Sequence, residues 1–158
     1  MAMTLNGTNG IVTPAGLTIN NAPAFAAYKN AGNQSITAST FTKITFDTEL
    51  YDTNNNFASS TFTPTVAGYY QINATVYMNA TAQTLALIAI YKNGSAYGQG
   101  NQFYGTLSGS SGCVISDIIY MNGSTDYIDI YGYSTGTSPN VGNGQATCRV
   151  SGSLVRSA

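Results

Sequence analysis

Asp47, Glu49, Asp52, Asp117, Asp126 and Asp129 are the only carboxylates of this chain, and it has no histidine at all. Without imidazole, Ser-His-Asp and Cys-His catalysis are excluded, as are zinc sites that need a histidine ligand. Paired carboxylates alone could hydrolyse a glycoside, but these six are scattered and nothing in their spacing pairs them. No catalytic residue is expected. Calcium prefers several clustered hard oxygens. Alternation puts Asp47 and Glu49 on one strand face, yet no Asp-x-Asp-x-Asp-Gly loop occurs, so neither metal nor cofactor is expected. Tyr127, Asp129, Tyr131 and Tyr133 alternate onto one face, opposite Ile128 and Ile130. A tyrosine ladder carrying one carboxylate suits contact with a sugar or a protein, because tyrosine joins a flat apolar ring to a hydroxyl. The plainer use of the same rings, burying an outer sheet face or a subunit seam, is the stronger expectation. Asn-x-Ser/Thr triplets begin at Asn6, Asn33, Asn73, Asn79, Asn93 and Asn122. They read as chance in an Asn/Ser/Thr-rich chain rather than as glycosylation sites.

Composition narrows the field further. The 158 residues suggest one domain with a real core. Only 7% are charged and the net charge is -1, so phosphate steering and a basic patch are both absent. Neither nucleic acid nor an anionic membrane is expected as a partner. No apolar run approaches the ~20 residues of a membrane helix. No basic-then-apolar leader opens the sequence either, so release by a route other than general secretion is expected. With 43% hydrophobic residues and 12 tyrosines the chain is not a disordered one. So little charge is easiest to understand if much of the surface is buried against copies of itself.

The elements that must position these groups are all strands. Asn6-Gly7, Asn9-Gly10, Asn93-Gly94, Asn122-Gly123 and Asn143-Gly144 suit the positive φ angles of tight hairpin turns. Between them the spacing predicts strands at 23–29, 36–50, 57–63, 69–79, 84–92, 95–104, 113–121, 125–133 and 145–156, and no helical period appears. Loops rich in Gly, Ser and Asn are expected at 98–112 and 134–144. Residues 1–22 read as an extended N-terminal arm, and 23–158 as the head. Along 69–78, Tyr70, Ile72, Ala74, Val76 and Met78 share a face that belongs in a sandwich core. Tyr69, Gln71, Asn73, Thr75 and Tyr77 share the other, a mixture of rings and amides that suits a subunit contact. Tyr69, Asn73, Tyr77 and Ile115 are the expected interface residues. Strand 84–92 is apolar on both faces, and so is 114–121 apart from Ser116 and Asp117, so each needs a second cover from a loop or a neighbouring subunit.

One stretch carries more than periodicity. Phe46, Asp52, Phe57, Phe62, Gly68, Tyr70 and Ile72 follow one another at intervals that resemble the signature of the C1q domain. That globular head is shared with the tumour-necrosis-factor-like jelly rolls. Phe57 to Phe62 is two residues shorter than the pattern, and Ile72 and Ala74 stand where it has aromatics. Ala24-Phe25-Ala26-Ala27 is similar to the family's first strand. Ser151-Gly152-Ser153-Leu154 is similar to its closing strand, with Gly152 and Leu154 as the matching positions. The resemblance implies an all-β C1q/TNF-like jelly-roll β-sandwich that is trimeric and non-enzymatic. In that topology the strands of Cys113 and Cys148 are not direct neighbours, so two buried thiols are expected rather than a bridge. The Gly/Asn/Thr-rich arm looks like leaders found ahead of small heads on bacteriophage structural proteins. Together these imply a virion-surface protein, either a fibre head that touches the host or a trimer decorating the capsid. Its expected partners are itself, other virion proteins through the arm, and a host-surface glycan or protein. A secreted lectin or adhesion module is the alternative.

Overall fold

The computed structural model describes residues 22–158, together with two short strands further upstream. These are β1 (Thr4–Asn6) and β2 (Gly10–Val12), which pair antiparallel as a ribbon where an extended segment was expected. The rest of the expected arm lies outside the described residues. The head contains β3 (Ala24–Tyr28), β4 (Gln34–Ser35), β5 (Thr42–Lys43), β6 (Thr48–Asp52), β7 (Phe57–Ala58) and β8 (Thr61–Phe62). After them come β9 (Gly68–Lys92), β10 (Ser95–Met121), β11 (Ile128–Ser134), β12 (Thr137–Val141) and β13 (Cys148–Ser157).

Two strands run through both layers of the sandwich. The first half of β9 pairs with β13 from Gly68 to Val76, and its second half pairs with β11 from Ala86 to Lys92. β10 follows β9 along its whole length, so each layer takes half of each strand. One layer is therefore β6-β3-β13-β9-β10, and the other is β7-β8-β11-β9-β10, with β5 also on β11. The corner of β9 is marked by Ala82 at a φ of 52°, that of β10 by Gly105 and Gly109 at 139° and 140°. Asn93 and Gly94, at 52° and 79°, form the tight turn between the strands. The Gly/Ser/Asn-rich segment 98–112, expected as a loop, is strand, because β9 offers it a hydrogen-bonding partner along almost its full length. The second expected loop, 134–144, contains β12, held against β9 and β4. The single strand expected at 36–50 is broken into β5 and β6.

The recognition motif proves to be the packing centre. Phe46, Phe57, Phe62, Tyr70 and Ile72 are all buried in one core cluster. Phe25 from β3 stacks on both Phe57 and Phe62, with ring centroids 4.7 and 4.4 Å apart, and Phe62 meets Tyr70 edge-on at 5.3 Å. Such pairs add to the area they bury. Asp52 does its work through the backbone: its Oδ2 accepts the Phe57 N–H at 2.7 Å and so fixes the 52–57 turn. Gly152 sits where a Cβ would press on Phe25 and Ile72 at 2.6 and 2.7 Å, and Gly68 where one would meet Leu154 at 2.6 Å. Cys113 and Cys148 are buried free thiols that flank Val76 on opposite sides of β9. Two strand spacings of about 4.8 Å exceed the ~7 Å Cα limit for a disulfide. Burial pushes the two thiols up to about 11 and about 12 respectively.

The two halves of β10 approach each other closely at Gly100. A Cβ at Gly100 would lie 2.2 Å from the Val114 carbonyl oxygen and 2.6 Å from Ile88. Because the obstacle is backbone, Gly100→Ala is expected to cost at least about 2 kcal/mol. Chemical denaturation of variant and parent measures it, with Gly112→Ala, which meets only the edge of a tyrosine ring, as the milder control.

Candidate interaction surface

Alternation along β9 and β10 decides which apolar groups remain outside. Tyr69, Asn73 and Tyr77 are exposed on the outer face of the β6-β3-β13-β9-β10 layer. Ile115, expected beside them, is not: it pairs with Ala74, shares its inward side and is only 7% exposed. The outward positions of β10 are its neighbours Val114, Ile118 and Tyr120, the first two 52% and 51% exposed. Strict alternation from the buried Cys113 was the signal that separates the two sets. Tyr120 stands opposite Tyr69 with ring centroids 5.5 Å apart, and Lys92 Nζ lies 5.8 Å from the Tyr120 ring. Between these rings runs an amide row, in which Gln71 Nε2 donates to Ser116 Oγ and Ser116 Oγ to Asn73 Oδ1, both at 2.9 Å. On the far side of β13, Leu50 and Tyr51 stand exposed above a depression of about 280 Å³.

β10 is also the free edge of both layers, since it pairs only with β9. An open edge invites further strands unless its N–H groups are occupied. Here Val114 N donates to Asn101 Oδ1 at 2.5 Å and Ile118 N to Asp117 Oδ1 at 2.8 Å. Side chains thus blunt the edge against strand addition and leave Val114 and Ile118 for side-chain packing.

The tyrosine ladder on the other layer has a different character. Asp129 is 6% exposed, accepts from Thr61 Oγ1 at 2.7 Å and pairs with Lys43 at 2.7 Å, so it is a structural carboxylate and not a free contact. Its expected role as a ligand contact is corrected by this pairing, whose cation arrives from a strand far away in sequence. Tyr127, Tyr131 and Tyr133 are half-buried. Tyr131 stacks on Tyr91 with centroids 3.9 Å apart, and Phe41 bridges Tyr91 and Tyr133 at 5.8 and 5.2 Å. In register these rings flank Leu87 and Ala89, the outer apolar residues of β9, which are buried. This doubly apolar strand is therefore covered from within the chain, by the loop carrying Phe41 and the ladder itself. Its counterpart in β10 has no such cover.

Asp126 and Asp47 serve turns. Asp126 is buried and accepts from Asn93 Nδ2 at 2.8 Å, Lys92 Nζ at 2.9 Å and Asn122 N at 3.0 Å. The Asn93 and Lys92 side chains hold its carboxyl below the ordinary 3.8 against the opposing effect of burial. For Asp47 burial raises the value, but the N–H groups of Asn30 and Ala31, with Thr48 and Lys29, outweigh it and the net shift is downward. Glu49 is exposed, and among the described residues no three His, Cys, Asp or Glu side chains are brought together.

No family model and no curated protein matches the chain. Solved structures do. The globular domain of zebrafish complement 1qA superposes with a TM-score of 0.62 at 16% identity, over 86% of this chain and 99% of that one. Eiger TNF from S. frugiperda gives 0.62 at 8% identity, over 87% and 95%. Murine APRIL gives 0.59 at 9%, over 85% and 99%. The fold is thus the C1q/TNF-like jelly roll that the Phe46–Ile72 motif resembles.

Asp126 links this geometry to pH. A carboxylate with a lowered folded pKa stabilises above its unfolded value and loses that contribution as pH falls through the folded one. The protein is expected to lose stability as pH drops below about 4. Asp126→Asn should start less stable and show a flatter profile over that window, though not a flat one, since Asp47 titrates there too. Thermal melts from pH 7 down to pH 2 check both.

Proposed function

We propose that the chain is a non-enzymatic binding module that works as a homotrimer on the surface of a bacteriophage particle. One observation carries the self-association: of two strands apolar on both faces, β9 is covered by its own chain, while β10 leaves Val114, Ile118 and Tyr120 open. Exposed apolar groups that continue as a patch mark interaction sites. The C1q/TNF-like fold supports a trimer, and three equivalent faces would turn weak contacts into firm attachment through effective concentration. The absence of histidine and the structural employment of Asp47, Asp52, Asp126 and Asp129 support a binding role. The particle location rests on the Gly/Asn/Thr-rich arm, which would join the head either to a fibre or to the capsid. Tyr127, Tyr131 and Tyr133 remain the candidate contacts for a host glycan or protein, Tyr131 through the outer edge of a ring whose face is already stacked on Tyr91.

Light scattering is expected to give three times 16.5 kDa, about 50 kDa. Ile118→Asp should shift the protein toward monomer, raising the concentration for half-assembly at least about tenfold while leaving the melting of the monomer little changed. A wild-type mass of one chain at working concentrations would overturn the trimer. Recovery with purified particles, lost when tails are removed, would favour a fibre head. Retention in fixed ratio on tail-less particles would favour capsid decoration.

A further inference from the structure

Two depressions share residues with the expected interface: Asn73 lines the one of about 280 Å³ that carries Arg149, and Tyr69 lines another beside Tyr120 and Arg156. A third, of about 260 Å³, is of a different kind. It is lined by Asn79 and Thr81 of β9, Gly109 of β10, and Thr137, Ser138 and Asn140 of β12. No charged and no aromatic residue borders it. Its place in the head is also distinct. Asn79 lies eight residues beyond Gln71 on β9, and Gln71 is level with Ser153 and Ala24, where the described head begins. Eight rises of about 3.3 Å put the depression roughly 26 Å along the strand from that point. A head held through the residues before Ala22 therefore carries this depression at its free end.

Four segments bring amides and hydroxyls into one row there. Asn140 Oδ1 accepts from Asn33 Nδ2 and from Asn79 Nδ2, both at 3.1 Å, and Ser110 Oγ donates to Asn79 Oδ1. With its oxygen taken twice, Asn140 has one orientation. Its Nδ2 is left with a 3.5 Å contact to the Ser138 carbonyl, at the limit of a hydrogen bond. The hydroxyls of Thr81, Thr137 and Ser138 stand exposed beside this row. The register of β12 on β9 shifts between Thr137 and Asn140, and Ser138, inside that irregularity, has a φ of 53°. Bulges of this kind re-aim side chains, and a serine in the left-handed region is held there at a cost in strain.

We infer that this far-end depression binds an uncharged saccharide, a hexose or N-acetylhexosamine unit, through the Asn140 amide and the Thr81, Thr137 and Ser138 hydroxyls. Sugar hydroxyls donate and accept, and so do the hydroxyls that meet them here, while the Asn140 N–H adds a donor of fixed direction. A carboxylated or sulfated sugar would find no cation in the depression to pair with. Because the amide row is already ordered by its own bonds, binding need not freeze it. One such site offers few contacts, so useful attachment depends on several copies acting together. The inference gives the host contact proposed above a seat separate from the tyrosine ladder. Its outward orientation rests on the reading of the arm as the attachment to a particle; its chemistry does not.

The test is retention of the full chain on a printed array of neutral hexose and N-acetylhexosamine oligomers, set beside sialylated and uronic-acid-bearing glycans. Retention is expected on members of the neutral set. Asn140→Asp keeps an oxygen for Asn33 and Asn79 but puts a carboxylate oxygen where the N–H stood, and should lower retention about tenfold or more. Thr81→Val with Thr137→Val removes two hydroxyls at nearly constant volume and should act in the same direction. Tyr127→Ala, on the ladder, should leave retention unchanged. Thermal melts confirm that each variant is folded, and the threonine pair carries the test should Asn140→Asp melt early. An array that retains no neutral glycan, retention confined to acidic glycans, or a loss through Tyr127→Ala instead of the depression variants would each overturn the site. Recovery with particles tests the location separately. A head that is absent from particles yet retains neutral glycans would overturn the arm reading and support the site.

Discussion

The head depends on a single hairpin folded over itself. β9 and β10 leave the Asn93–Gly94 turn and stay partnered around both corners, with the register adjusted by irregularities between Ala96 and Gly109, so one hairpin serves two layers. A slip of one residue in the regular stretch from Gly68 to Asn79 would exchange inward and outward side chains along that half. Ile72, Val76 and Ile119 would come out as Tyr69, Asn73 and Tyr120 went in. The closeness of the two halves of β10 at Gly100 reinforces this, because only a bare backbone can pass under the Val114 carbonyl. The inward place of Tyr70 in the aromatic cluster, the buried Cys113 beside Val76 and the open face of β10 all follow from that pairing.

Much of this was legible in the sequence, for identifiable reasons. Phe46, Phe57, Phe62, Tyr70 and Ile72 are large, regularly spaced and all used for packing, so type and interval alone point inward. The alternation of 69–78 was equally plain. Ile115 misled because apolar residues on both faces of its strand mask the phase, which alternation from the buried Cys113 and the pairing with Ala74 together fix. Asp129 misled because its partner Lys43 lies on β5, a contact that no local pattern announces. The Gly- and Ser-rich 98–112 looks like a loop by composition, yet a continuous hydrogen-bonding neighbour outweighs strand propensity.

The chemistry of the surface follows from the economy of charge. Every lysine is held by an aspartate within the head, and what remains outside is mostly tyrosine, amide and hydroxyl, with a few aliphatics, Glu49 and two arginines. Such a surface has little long-range field, so its contacts are decided by shape and short-range hydrogen bonds. The two doubly apolar strands show the same division of labour. One is sealed by rings from its own chain, while the other ends at a blunted edge that refuses an added strand but leaves its side chains available.

The position of β3 has a mechanical consequence. The described head begins beside Ser153 and Pro23, where Leu154 N donates to the Pro23 carbonyl, and Ala82 lies at the far end of the same layer. Tension arriving through the residues before Ala22, and resisted by a grip near that far end, would run along the axis of β3. β3 is bonded on both sides, to β13 and to β6. Antiparallel hydrogen bonds lie across the strand, so such a pull loads them together, in shear, rather than one after another as in a zipper. A small head built this way is suited to bearing load through its N-terminal strand without being peeled open.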